Sequence, residues 1–341
     1  DHCIILGYKD LDELLGKKRL TKDRNEEKVM ALSTKPEKVS QYCMISSVTF
    51  KKTKTGKDYA ELTLSDKSAT IPACKVWDVT EEIKETLKNN DVLYIDGEAD
   101  NYGGAYKVTI KELSLPSGEV PLSELVPSEP IDVEGIYSNI KSEVESFKNE
   151  VLKKATLGLL EEYGEALKSI SAAKHVHHYK RGGLLRHVKE MLNLALYMQK
   201  MYPVANRELL ISGIIFHDIM KAKEYTYNHG IAGDFTADGV LFGHIFLGAE
   251  LPKRYVSQEE AESEEIKMLQ HIILSHHGIK EWGSPVEPAI IEAVIIHHVD
   301  NLDAKTYGFA DELSNMELGE VRKSRNIFAT VYKHELGNYG G

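Results

Sequence analysis

Cysteine is scarce in this 341-residue chain, and what there is does not cluster: Cys3, Cys43 and Cys74 are odd in number and far apart. That excludes a disulfide framework and a zinc knuckle, and the three read as reduced residues of a cytoplasmic protein. No run of eighteen apolar residues occurs, so no membrane-spanning helix is expected. A positively charged start leading into an apolar segment is also missing, so no secretory signal is visible. The first residue is Asp1, which points to a start further upstream. Basic excess is the fourth absence. Lys and Arg number 42 against 53 Asp and Glu, a formal net charge of −11, which argues against broad electrostatic capture of nucleic acid. A polyanion would have to enter a local groove, with metal ions offsetting repulsion near the chemistry.

What is present divides into a multidomain chain, long enough for two cores. Residues 1–35 read as an N-terminal extension, a peripheral helix (Leu11, Leu14, Leu15, Leu20) and a charged linker. Over 36–115 the texture is short, alternating segments with turn signals. Strands are expected at 44–50, 59–66, 69–77, 92–97 and 106–110, with Pro72 marking an edge or bulge. A short helix over 80–88 has Thr80 as N-cap. Three strands, a helix and two strands suit an all-β, five-stranded Greek-key barrel of the OB type. Such barrels bind single strands through aromatic faces and lysines. The candidates are Tyr59, Trp77, Tyr102 and Tyr106 for stacking, and Lys51, Lys52, Lys54, Lys57 and Lys107 for phosphates. The domain is not basic, with eleven lysines against thirteen acids, and Trp77 at a strand end suits core or domain-interface packing better than stacking. Modest, non-specific strand binding is the expectation.

Residues 116–130, with Pro116, Pro121, Pro127 and Pro130, read as a linker. From 131 the period is helical to about 320, with helices expected over 133–152, 159–170, 184–201, 206–218, 235–247, from Ser257 or Ser263 to 277, and 288–301. The polar stretch 312–323 is expected to be poorly ordered and 321–341 a C-terminal tail.

Twelve of the fourteen histidines lie between His175 and His298. His187, the doublet His217-Asp218, His244, His276 and Asp300 recur at gaps of 30, 27, 32 and 24 residues, about one helix plus its connection each. A doublet alone is weak, since a buried histidine satisfied by a hydrogen bond is commoner than a ligand. The full set, delivered by successive helices, points to a metal site. Its imidazoles and carboxylates suit Mn, Fe, Zn, Co or Ni better than Ca. His276 is favoured over His277 as a ligand, His297 and His298 are expected on the surface or behind the ligands, and His271 is expected to pack against or orient His276.

The order His, His-Asp, His, His, Asp resembles that of the HD-domain metal-dependent phosphohydrolases, all-α helical bundles. The resemblance implies two ions: His187, His217, Asp218 and Asp300 around the first, His244 and His276 with Asp218 as bridge around the second. A water between two such cations is activated for in-line attack on phosphorus, and Lys221 would meet a non-bridging oxygen as a point charge. An N-terminal OB barrel followed by an HD domain is in turn similar to the YhaM-type 3′–5′ exoribonucleases. Lys75 to Val79, Leu241 to Ile245, Leu269 to Pro285 and His298 to Lys305 carry that likeness. It implies a cytoplasmic enzyme that shortens single-stranded RNA from its 3′ end. Single-stranded DNA is a second candidate substrate, and the assembly expected is a homo-oligomer. The cofactor implied is divalent metal, Mn favoured over Mg, Co, Fe or Ni. Three departures from the family pattern stand out. Met220 replaces the usual glycine of His-Asp-x-Gly-Lys, residues 1–35 precede the usual start with Met30 near it, and 175–178 is rich in histidine, with His178 placed near the substrate among the catalytic residues with Asp218 and Lys221. Two rival readings remain: a phosphodiesterase of cyclic or small nucleotides, since fold does not fix substrate, and a strand-binding module with an inactive HD domain.

Overall fold

In the computed structural model the described residues are 31–100, 106–118, 120, 122–173, 178–314, 316–324 and 327–339. Strands β1 (Lys38–Lys52), β2 (Asp58–Ser65), β3 (Thr70–Trp77), β4 (Val92–Asp100) and β5 (Lys107–Ser114) alternate side chains between water and a common interior. Cys43, Ala60, Leu62, Cys74, Leu93 and Ile95 are fully or almost fully buried there. The sheet closes in the order β1-β2-β3-β5-β4, antiparallel except for the β3–β5 seam, where Lys75 faces Thr109 and Val76 faces Ile110. This is a closed five-stranded barrel, which removes the exposed sheet edge. Pro72 lies at a bulge: Leu62 pairs with Cys74 but Leu64 with Ile71, and Ala73 has φ 58°. Helix α1 (Glu81–Asn89) starts where Thr80 Oγ1 accepts the Ile83 N–H at 3.3 Å.

The linker is stitched to both domains. Leu125 and Val126 are buried against Met44 of the barrel. Further on, Arg181 N–H donates to the Pro127 carbonyl and Glu129 N–H to the Arg181 carbonyl, each at 2.9 Å. The Glu129 carboxylate is buried and takes hydrogen bonds from Arg186 (2.5 Å) and Tyr307 (2.8 Å).

The helical half comprises α2 (Val133–Glu145), α3 (Glu150–Ser169), α4 (Gly183–Met201), α5 (Arg207–Phe216), α6 (Ala237–Ala249), α7 (Glu264–Ser275) and α8 (Ile291–Ser314). Side-chain caps at Asp132, Asn149, Asn206, Thr236 and Ser263 start five of them. Asn149 also explains a difference from the sequence expectation of one helix over 133–152. Its Oδ1 accepts from Val151 and Leu152 N–H at 3.1 and 3.0 Å, so a new helix begins where the periodicity alone runs on. A further difference is the hairpin β6 (Tyr225–Asn228) and β7 (Ile231–Phe235). Its two-residue turn, His229-Gly230, has both φ values positive, as the twist of a hairpin favours. The polar C-terminal stretch is also better formed than expected. α8 continues to Ser314, and β8 (Val321–Ser324) pairs with β9 (Ala329–Tyr332) because Val331 supplies a buried anchor among polar neighbours. No helix among the described residues is long and apolar enough to cross a membrane.

Candidate metal centre

Two ligand candidates sit at helix C-termini, where the last carbonyls lack partners within the helix. His217 follows α5 and donates its Nδ1–H to the Ile214 carbonyl at 2.7 Å; His276 follows α7 and does the same to Ile273 at 2.7 Å. The same bond caps the helix and turns each Nε2 inward. His187, one turn into α4, donates Nδ1–H to Asp303 at 2.6 Å. His244 follows Gly243, whose φ of 67° and ψ of 161° kink α6. Its Nδ1–H and its backbone N–H both bond Glu224 Oε1, at 2.9 and 3.1 Å. His277 donates Nδ1–H to the Trp282 carbonyl at 2.7 Å. All five imidazoles thus have the Nδ1 proton fixed by an acceptor, which leaves Nε2 as the inward atom.

Asp218 is the hub. His244 Nε2 lies 3.3 Å and His276 Nε2 3.7 Å from its Oδ1, while His217 Nε2 lies 3.4 Å and His187 Nε2 4.0 Å from its Oδ2. Asp300 Oδ1 is 3.2 Å from His187 Nε2. Two groups of ligand atoms, His187/His217/Asp218 and His244/His276/His277, each fall within 4.8 Å of one another. Nε2 of His217, His244 and His276 and Oδ1 of Asp218 are buried with no hydrogen-bond partner among the described residues. Leaving such atoms unpaired is costly, so the donor set fits divalent cations bound between them.

Electrostatics point the same way. Burial alone would raise the Asp218 carboxyl, yet Lys221 and His217 hold it well below the usual carboxylate range. Lys221 Nζ lies 2.6 Å from Asp218 Oδ2. Burial opposes charge on His187, but the carboxylates of Asp300 and Asp303 override it and hold the imidazole up at about 9, a negative field that favours a cation, which displaces the Nε2 proton on binding. Burial, with His276 beside it, pushes His277 down to about 4, which keeps that ring neutral. One helical turn, Lys221–Glu224, therefore sets a cation on Asp218 and an anion on His244.

A family model described as the HD domain matches residues 184–305. The 3′-5′ exoribonuclease YhaM of Oceanobacillus iheyensis is 32% identical over 302 residues, 88% of this chain and 94% of that protein. YhaM of Geobacillus sp. is 34% identical over 313 residues, 88% and 96% of the two chains, and that of Bacillus subtilis 32% over 295 residues, 86% and 92%. The chain belongs to the YhaM-type 3′–5′ exoribonuclease family of HD-domain hydrolases.

Against the YhaM-type pattern, the glycine replaced by Met220 leaves no strain. Met220 has φ −76° and ψ 0°, is buried in the core, and keeps Lys221 aimed at Asp218. His178 is buried, and its Nε2–H donates to Asp303 at 2.7 Å, so it stands behind His187 and not at an exposed surface. His271 accepts the Ala289 N–H at its Nε2, at 2.9 Å. His297 donates Nδ1–H to the His276 carbonyl at 3.0 Å. Sequence reasoning passed over Asp303 and Glu224. Each lies three residues from a residue it did single out, Asp300 and Lys221, and that i, i+3 spacing on one helical face was the available signal.

On the barrel, Tyr59 and Trp77 pair across β2 and β3 with ring centroids 5.0 Å apart, and Trp77 is exposed. Lys75 Nζ lies 5.0 Å over the indole. Lys51, Lys52 and Lys57 are paired with Glu61, Asp58 and Asp78 at 3.1, 3.6 and 3.0 Å. Lys54 is exposed at the β1–β2 turn, and Lys107 opens β5. Tyr106 is used structurally, its hydroxyl donating to the Pro36 carbonyl at 2.7 Å. Tyr102 lies outside the described residues. A cleft of about 1020 Å³ beside β1, β4 and β5 is lined by Asp66, Asp96, Glu112 and Glu124 together with Lys67, which pairs with Glu124 at 2.6 Å, an excess of negative charge that disfavours a polyanion.

Proposed function

We propose that this protein is a cytoplasmic, metal-dependent 3′–5′ exoribonuclease that hydrolyses single-stranded RNA, with single-stranded DNA as a secondary substrate, and works as a homo-oligomer. The observation that carries the reading is the convergence of four histidine Nε2 atoms on the two oxygens of Asp218. His187, His217, Asp218 and Asp300 would hold one divalent cation, and His244 and His276, with Asp218 between, the other. Manganese is favoured, with Mg, Co, Fe or Ni as alternatives. Cations bound there supply Lewis acidity toward the phosphate and lower the pKa of an attacking water.

The chain's own residues do the rest. Asp218 orients the two ligand groups about one carboxylate, and Lys221 offers an ammonium for a non-bridging phosphate oxygen. Asp303 and His178 hold His187 in register, and Glu224 holds His244. His277, which falls within the second group, is a further candidate ligand. Lys51, Lys52, Lys54, Lys57 and Lys107, with Tyr59 and Trp77, offer a strand-tracking surface of modest affinity.

The test is an RNA labelled at its 5′ end, incubated with Mn and compared with cyclic dinucleotides and nucleoside triphosphates. A ladder of products shortened stepwise from the 3′ end is expected, and Asp218→Ala should abolish it while RNA binding persists. Turnover of the small nucleotides alone would replace this reading with a nucleotide phosphodiesterase. No turnover of any substrate would leave only a strand-binding module.

A further inference from the structure

An exposed aromatic residue held by its backbone next to the histidine cluster offers a π face to a substrate entering there. Trp282 is such a residue, 49% exposed. Its segment is firmly built. The chain leaves α7 through Gly278 (φ 81°), makes a single turn over Lys280–Trp282 and closes on Gly283 (φ 93°). A Cβ at position 278 would lie 2.1 Å from the His297 ring, so only glycine lets this loop approach α8 so closely. The Trp282 carbonyl accepts the His277 Nδ1–H at 2.7 Å. The indole packs beside His297, ring centroids 6.0 Å apart, and His297 is itself bonded to the His276 carbonyl at 3.0 Å. A hydrogen bond at the Trp282 carbonyl and the ring contact with His297 therefore tie this residue to the adjacent pair His276-His277. On the same rim, Lys305 Nζ lies 5.5 Å from the indole centroid.

We propose that Trp282 is the stacking platform for a nucleobase at the 3′ end of the RNA being cut, with the Lys305 ammonium beside it to meet the backbone. The inference rests on the exoribonuclease reading above. An aromatic face suits an enzyme that must accept every base in turn, because stacking needs only a π surface and reads no base edge. Simple core packing would have buried the ring, and a solvated Lys–Trp pair alone would not require a loop held by two left-handed glycines and bonded to the centre.

Two oligoribonucleotides, identical except for an abasic 3′-terminal residue, provide the test. Trp282→Ala should lower kcat/KM on the intact strand by about ten-fold, the scale of one lost base–aromatic stack, mostly through KM. It should leave the abasic strand nearly unaffected, and Trp282→Phe should recover most of the loss. Equal losses on both strands, or none on the intact one, would overturn the proposal. Fluorescence gives a readout independent of turnover. The chain has two tryptophans, so Trp77→Phe leaves Trp282 as the sole indole, and its emission should be quenched by the intact strand but not by the abasic one. Absence of that difference also overturns the proposal. A wild-type protein that shortens neither strand, yet shows the selective quench, would contradict the exoribonuclease reading and leave the platform standing.

Discussion

At His187 a neighbour's carboxylate decides which ring nitrogen faces the centre. Asp303 Oδ2 accepts from both His187 Nδ1 (2.6 Å) and His178 Nε2 (2.7 Å), so one oxygen fixes two imidazoles. Replacing Asp303 with Asn keeps the size and removes the charge that favours this tautomer. The expected result is metal affinity ~10–100-fold weaker, the usual effect of losing such a partner, with the fold intact by circular dichroism. A chelator competition titration measures it, and unchanged affinity would deny Asp303 the role. The ligand candidates themselves were legible in the sequence, because His187, His217-Asp218, His244, His276 and Asp300 recur at helix-sized intervals. Asp303 and Glu224 were not. They act through another residue's far nitrogen, and nothing in the spacing of imidazoles says which carboxylate will lie behind each ring.

Helix termini and one helix kink carry the geometry at the scale of elements. His217 and His276 occupy matching positions just past α5 and α7, each capping a carbonyl three residues back. His244 depends on Gly243, whose φ of 67° and ψ of 161° belong to a region that is open almost only to glycine. A Cβ there would meet nothing closer than Glu224 Oε1 at 3.7 Å, so the obstacle is conformational and not steric crowding. Gly243→Ala should therefore cost about 1–3 kcal/mol. The thermal midpoint should fall, and any straightening of α6 would draw His244 away from Glu224 and Asp218, with loss of the second metal. A melt and a metal determination that both match wild type would contradict this. The caps at Thr80 and Asn206 were readable because a short polar side chain before an apolar period has a local physical meaning, while Ser257 competed with Ser263 on the same signal. The break at Asn149 and the β6–β7 hairpin were missed. In the first, helical periodicity runs on through the cap; in the second, the His229-Gly230 turn joins strands too short to show alternation.

Across the whole molecule, an acidic chain is asked to handle a polyanion, and charge is arranged locally to allow it. Carboxylates gather at the centre, where cations would offset them, while Lys54, Lys75 and Lys107 lie on the barrel side. The linker is tied to the barrel at Met44 by Leu125 and Val126 and to the helical half by Glu129, bonded to Arg186 of α4 and Tyr307 of α8; Tyr307 lies against His178, ring centroids 4.0 Å apart. The linker thus ends one packing layer from the Asp303–His187 pair. The barrel and the helical bundle could each be read from their own periodicity. Their junction could not, since it depends on contacts between residues as far apart as Glu129 and Tyr307. Elemental analysis of the purified protein, loaded with Mn and freed of excess by gel filtration, addresses the central claim most directly. Two ions per chain are expected in the wild type, one in a variant carrying His244→Ala and His276→Ala, and none in Asp218→Ala. A wild type that retains no metal, or a double variant that still holds two ions, would contradict the account.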